Sequence, residues 1–177
     1  MSLIIIEGVD GTGKTSLAEK LKDELDYNIA FRTSQRNTKK LKDLDIHIND
    51  YHEDIHFINQ WSSIGFNAIC DRSFISGAVY EKITKKMSII FDYCLEQIRR
   101  NQDDVYFILL KAKNKTIVER DENWEGKEQE LELKRYLFTN IFKHRLKDLN
   151  SLIINTDNKT NDEVFKEVKE WLKNYNL

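Results

Sequence analysis

The chain has 177 residues, 40% of them apolar and 33% charged, with a formal net charge of −2. That length suits one domain built on a sheet covered on both faces, and the nearly balanced charge supplies no general field for nucleic acid or an anionic membrane. No apolar run approaches a membrane span and Met1–Ile6 lacks the basic flank of a secretory signal, so a cytoplasmic protein independent of membranes and nucleic acid is expected.

Leu3–Glu7 opens the chain as a buried strand. Leu17, Ala18, Leu21 and Leu25 then form one helical stripe, and Asn28–Arg32 reads as a second strand. Phe66–Asp71 is the third strand. Val79, Ile83, Met87, Ile90, Phe91, Cys94 and Ile98 step by threes and fours through a helical region with an expected break near Lys85-Lys86. Val105–Leu110 is the fourth strand, followed by a helical pattern through Tyr136, Leu137, Ile141 and His144. Leu152–Asn155 is the fifth, and Val164, Phe165, Val168, Trp171 and Leu172 close the chain as an amphipathic helix. The aromatic residues on these stripes read as core, and Cys70 and Cys94, in apolar surroundings without metal-ligand spacing, read as reduced core thiols. Strands alternating with helices predict an α/β fold, a five-stranded parallel sheet with helices on both faces in one domain over 1–177. Ligands in such sheets gather at the carboxyl ends of strands, here Gly8–Thr15, Arg32–Arg36, Asp71–Ser73 and Lys111–Lys115.

The first of these strand ends carries a specific pattern. Gly8-Val9-Asp10-Gly11-Thr12-Gly13-Lys14-Thr15 fits G-x-x-x-x-G-K-[ST], with a strand before it and a helix after it. Its glycines let backbone N–H groups turn inward around a phosphate, and the helix start adds partial positive charge. Gly8, Val9, Asp10, Gly11, Thr12, Gly13, Lys14, Thr15 and Ser16 are therefore the expected ATP-binding residues, with Lys14 on the β/γ-phosphates and the Thr15 hydroxyl on Mg²⁺. Asp71-Arg72-Ser73 ends the third strand. A carboxylate there can hold Mg²⁺ beside Thr15, and a guanidinium can clamp phosphate oxygens in two places. His52-Glu53-Asp54-Ile55-His56 matches H-E-x-x-H, but neither His47 nor His144 supplies a recognisable third ligand position, so a polar helix face is expected.

Glu7-Gly8-Val9-Asp10-Gly11-Thr12-Gly13-Lys14-Thr15 together with Asp71-Arg72-Ser73-Phe74-Ile75-Ser76-Gly77-Ala78-Val79-Tyr80 resembles the thymidylate kinase family, a group of nucleoside monophosphate kinases. The resemblance implies a P-loop NTPase three-layer sandwich with ATP and Mg²⁺ as cofactors, a deoxynucleoside monophosphate as substrate, and a homodimer. It implies a short lid around 112–128, where Glu119-Arg120 and Glu122 fall. It further implies that Asp10 holds the acceptor sugar's 3′-hydroxyl, that Arg32 and Arg72 bind the acceptor phosphate, and that Arg120 closes over ATP. Gly11 stands where some members carry a loop arginine, which shifts weight to Arg120 and Lys127. Two segments depart from the family pattern. The strand-two end reads Phe31-Arg32-Thr33-Ser34-Gln35-Arg36, without the usual proline. The base-recognition run reads His56-Phe57-Ile58-Asn59-Gln60-Trp61, with Phe57 or His56 available to stack on a base and Gln60 where an arginine is usual. A glutamine amide both donates and accepts, so it suits thymine or another base.

Three functions fit these residues: phosphoryl transfer to a deoxynucleoside monophosphate (dTMP to dTDP), phosphorylation of a deoxynucleoside hydroxyl on the same fold, and a P-loop ATPase or switch. A hydroxyl acceptor needs a base, which related nucleoside kinases place as a carboxylate at the end of strand two. This chain has Arg32 there and no acid between Phe31 and Lys42, which favours an ionised phosphate as acceptor. A GTPase switch would want D-x-x-G after strand three and N-K-x-D later. Asp71 is followed by Arg-Ser-Phe, and the Asn114-Lys115 and Asn158-Lys159 pairs lack the aspartate.

Overall fold

The structure is a computed structural model that describes residues 2–32, 56–61, 63–80 and 85–177. Five strands, β1 (Leu3–Glu7), β2 (Asn28–Arg32), β3 (Ala68–Asp71), β4 (Val105–Lys111) and β5 (Asn150–Asn155), form one parallel sheet in the order β2-β3-β1-β4-β5. β1 is central because every residue of Leu-Ile-Ile-Ile-Glu can be buried, and every one is. Its alternation feeds two cores. Leu3 and Ile5 join Cys70, Phe107 and Leu109 on one face, while Ile4 and Ile6 join Ile69, Ile108 and Leu110 on the other.

The helices divide between those faces. α1 (Lys14–Leu25) and α6 (Asn161–Leu172) cover the second face through Leu17, Ala18, Leu21, Val164, Val168 and Leu172. α2 (Phe74–Tyr80), α3 (Lys85–Arg99) and α5 (Glu128–His144) cover the first, through residues that include Phe74, Phe91, Leu95, Phe138 and Phe142. The expected three-layer α/β sandwich is therefore present. α4 (Asn114–Arg120) and a 3₁₀ turn at Glu122–Trp124 fill the segment between β4 and α5.

Some boundaries differ from the sequence reading. β3 begins at Ala68 because the Phe66 carbonyl accepts the Trp61 Nε1 hydrogen (2.9 Å) and Asn67 Oδ1 accepts from the Ser2 amide (3.0 Å). The central stripe divides into α2, ending at Tyr80, and α3, beginning at Lys85 itself. α5 starts at Glu128, a full two turns before the apolar stripe at Tyr136, since Leu131 already reaches the core. Cys70 and Cys94 are buried in the first core, where their apolar surroundings predict them. Among the described residues no helix is long and apolar enough to cross a membrane.

Candidate active site

The loop between β1 and α1 is shaped by close approach. Gly8 has φ +142°, and a Cβ there would stand 2.4 Å from the Leu110 carbonyl oxygen of the neighbouring strand β4. Gly11, at φ +80°, lies under α4, where a Cβ would meet the Ile117 carbonyl at 3.2 Å and Asp121 Cβ at 3.3 Å. The Val9 carbonyl accepts from Thr12 Oγ1 and from Lys14 Nζ, each at 2.8 Å, which closes the loop on itself. Gly13 is the N-cap of α1. No side chain caps this helix and its first turn holds no acid. At α6, by contrast, Thr160 and Glu163 form a reciprocal capping box. The α1 start thus keeps its free N–H groups and partial positive charge beside the loop, an arrangement suited to an anion.

Around this loop the structure brings together residues from three strand ends. Thr15 Oγ1 donates to Asp71 Oδ2 at 2.6 Å. Lys14 Nζ lies 3.9 Å from Asp10 Oδ1. Arg72 has φ +80° and its amide donates to the Ile6 carbonyl (3.0 Å) in β1, which turns the chain sharply out of β3. Its guanidinium donates from Nη1 to Ser76 Oγ (2.9 Å) and from Nη2 to Asp10 Oδ1 and, at 3.4 Å, to the Tyr80 hydroxyl. Asp10, Gly11, Gly13, Lys14, Thr15, Ser16, Asp71 and Arg72 line a cleft of about 140 Å³. Arg32 is the register partner of Asp71 across β2 and β3, which brings its backbone to the same end of the sheet.

Burial sets the electrostatics. Desolvation and the nearby Arg72 guanidinium pull the Lys14 ammonium down to about 8, against the support of Asp10, Asp71 and Glu7. Burial also acts on Asp10, but Arg72 and Lys14 outweigh it and hold this carboxyl below its ordinary value. Burial pushes the Tyr80 phenol up to about 12, with the Asp10 charge adding to it against Arg72. Burial likewise raises the Glu7 carboxyl, in spite of hydrogen bonds from Ser76 and Ser73.

Arg120 adjoins the loop, its Cβ 3.6 Å from where a Cβ on Gly11 would stand. Arg120 donates to Thr156 Oγ1 (3.1 Å) and to the Thr156 carbonyl (3.0 Å), so its guanidinium is engaged at the turn after β5. Lys127 donates to the Asn123 carbonyl at 3.0 Å. Residues 56–61 are helical. Phe57 packs edge-on to Phe66 and lines a small apolar recess with Arg72 and Phe74, Trp61 is fully buried, and His56 and Gln60 are exposed. Thr33 to Arg36, His47, His52, Glu53 and Asp54 lie outside the described residues. Among the described residues no group of three His, Cys, Asp or Glu is placed to hold a metal ion.

Sequence reasoning gave no role to Glu7, Ser76, Tyr80 and Lys134. Lys134 Nζ lies 4.3 Å from the Tyr80 ring centroid and 5.1 Å from that of Trp124, and pairs with Glu130 at 2.6 Å. A second cleft of about 280 Å³ runs from Asp10 and Tyr80 to these residues. The Glu130/Lys134 spacing was readable as a helix pair, but its packing against Tyr80, 54 positions earlier, left no local signal.

A parallel five-stranded sheet with its phosphate-binding loop on the central strand, and Lys, Thr, Asp and Arg converging there, defines a P-loop kinase. The thymidylate kinase family model matches residues 6–168, and the chain belongs to that family of phosphotransferases. A probable thymidylate kinase of Methanococcus aeolicus is 30% identical over 184 aligned positions, covering 93% of this chain and 92% of that protein. A probable thymidylate kinase of Staphylothermus marinus is also 30% identical, over 96 residues that span 44% of this chain and 48% of that protein. Among solved structures, the thymidylate kinase of Candida albicans superposes with a TM-score of 0.72, at 20% identity over 98% of this chain and 91% of that one. The family carries out phosphoryl transfer to nucleoside monophosphates.

Proposed function

We propose that this kinase transfers the γ-phosphoryl group of ATP to dTMP, giving dTDP. The observation that carries the reading is the Asp10–Arg72 pair, held against the phosphate loop between Lys14 and Tyr80. It sets a cation able to clamp a phosphate beside a carboxylate able to accept from a sugar hydroxyl. Backbone amides of the loop and the α1 start hold the donor phosphates, and Lys14 bridges toward the transferred group. Thr15 and Asp71, hard oxygen donors 2.6 Å apart, suit Mg²⁺, which neutralises charge on the donor phosphates when bound. Arg72 orients the acceptor phosphate, and Arg32, whose backbone is in register with Asp71, is assigned to it as a second cation. Arg120, bonded to Thr156 with its Cβ beside Gly11 of the loop, closes over the donor phosphates and adds positive charge to that of Lys14 and Arg72. Phe57, Gln60 or both read the base.

ADP release with ATP–Mg²⁺ against a panel of deoxynucleosides and their monophosphates tests this. The expected result is turnover with dTMP above the other monophosphates and none with nucleosides. Activity on nucleosides alone would move the assignment to the nucleoside kinase reading.

A further inference from the structure

Glu7 is the last residue of β1, fully buried, and lies outside every role so far assigned. Its carboxylate accepts three hydrogen bonds. Ser73 Oγ donates to Oε1 at 2.7 Å, the Ser76 amide donates to Oε1 at 3.3 Å, and Ser76 Oγ donates to Oε2 at 2.5 Å. A serine hydroxyl has one hydrogen, and in Ser76 it goes to Glu7. The oxygen therefore faces Arg72 Nη1 with a lone pair, at 2.9 Å. With Glu7 ionised, the direction of this chain is guanidinium to hydroxyl to carboxylate.

We propose that Glu7 is a positioning residue for phosphoryl transfer, aiming the Arg72 guanidinium through Ser76. The inference rests on the reading above that Arg72 clamps the acceptor phosphate. Arg72 is 7% exposed and its backbone occupies the left-handed region, so it cannot be aimed by strand geometry alone. Its side chain is instead held by three others, Tyr80 at 3.4 Å and two closer ones. Nη2 bonds Asp10 from the loop, and Nη1 bonds Ser76, whose hydroxyl Glu7 orients. Glu7 also precedes Gly8 directly, so one carboxylate sets the start of the phosphate loop and the orientation of the arginine. In a buried network each member polarises the next, and a half-satisfied member disturbs all of them.

Glu7→Gln preserves shape and removes the charge. Whichever way the amide turns, an N–H₂ group faces a donor. At the Oε2 position it forces the Ser76 hydrogen round toward Arg72 Nη1, and at the Oε1 position it opposes the Ser73 hydroxyl and the Ser76 amide. Ser76→Ala cuts the link to Arg72 while leaving Glu7 bonded to Ser73 and the residue 76 amide, so the fold keeps a satisfied carboxylate.

The test is a double-mutant cycle on kcat at saturating substrates, with ATP affinity measured alongside. Glu7→Gln and Ser76→Ala are each expected to lower kcat by about tenfold or more with ATP affinity unchanged. Combining either with Arg72→Ala should lower kcat no further than Arg72→Ala alone. Losses that multiply in the double variants, or wild-type kcat in Ser76→Ala, would overturn the positioning role. If Arg72→Ala itself kept wild-type turnover, the clamp reading would fall first, a result distinct from either.

Discussion

Lys14 offers a quantitative prediction, because the pocket that shapes it leaves an ammonium partly deprotonated near neutral pH. Burial and Arg72 bring its value to about 8, from an ordinary 10.5, in the ligand-free enzyme. Nucleotide phosphates placed at the loop favour the charged form and restore the proton. If the nucleotide binds only the ammonium form, apparent affinity weakens about twofold at pH 8 and about tenfold at pH 9, and at pH 8 each binding event takes up about half a proton. The phosphates themselves, whose last ionisation lies near pH 6, add little above pH 7.5. Calorimetric titration with a non-hydrolysable ATP analogue at pH 8, in two buffers of different ionisation enthalpy, reads this uptake directly. Lys14→Met should bind more weakly and take up none. Stability carries the opposite sign. Between about 8 and 10.5 the unfolded chain holds a proton that the folded one has lost, so ligand-free stability rises with pH across that window, by roughly 3 kcal/mol in all, and Lys14→Met lacks the rise. Equal proton uptake in wild type and Lys14→Met, or affinity flat from pH 7.5 to 9.5, would refute the argument.

Asp10→Asn removes the charge that pairs with Arg72 and supports Lys14. Steady-state kinetics should show the acceptor KM raised about tenfold or more with the ATP KM within about twofold, and an unchanged acceptor KM would remove Asp10 from sugar recognition. Gly8→Ala meets the Leu110 carbonyl at 2.4 Å in a backbone region that L residues rarely adopt. The expected cost is about 3 kcal/mol or more, a fall of roughly 10 °C in the thermal midpoint followed by circular dichroism; an unmoved midpoint would mean that loop and β4 do not touch as described.

The fold was legible because burial on both sheet faces leaves a continuous signal. Leu3–Glu7 is apolar or, at Glu7, sealed by serines, and its alternation into two cores follows from the strand period alone. The phosphate loop was legible because its demands are local: Gly8 must meet a neighbouring strand, Lys14 must return to Val9, and the spacing of the motif encodes both. α4 left a weaker trace, since Ile117 and Val118 are its only apolar residues and cover a single turn. What escaped were partners chosen across long separations. Arg120 finds Thr156, and Tyr80 finds Asp10 and Lys134 from opposite directions in sequence. Such choices follow from where α2, α4 and α5 pack on one sheet face and cannot be read from any window along the chain.

Glu7 stands between these cases and shows why. A charged residue ending an otherwise apolar strand is a visible anomaly in the sequence, and an isolated carboxylate there would cost several kcal/mol to bury. Its compensation is visible as well, in Ser73 and Ser76 beside Asp71-Arg72, once β1 and β3 are known to be neighbours. The sequence states the problem and supplies the answer some 66 residues later; only the strand order joins them. A buried acid at the end of the loop-bearing strand, with hydroxyls at the next strand's end and an arginine before them, therefore implies more than solvation of a stray charge. The Ser76 hydroxyl needs only its hydrogen for the acid, and its oxygen is left for the arginine.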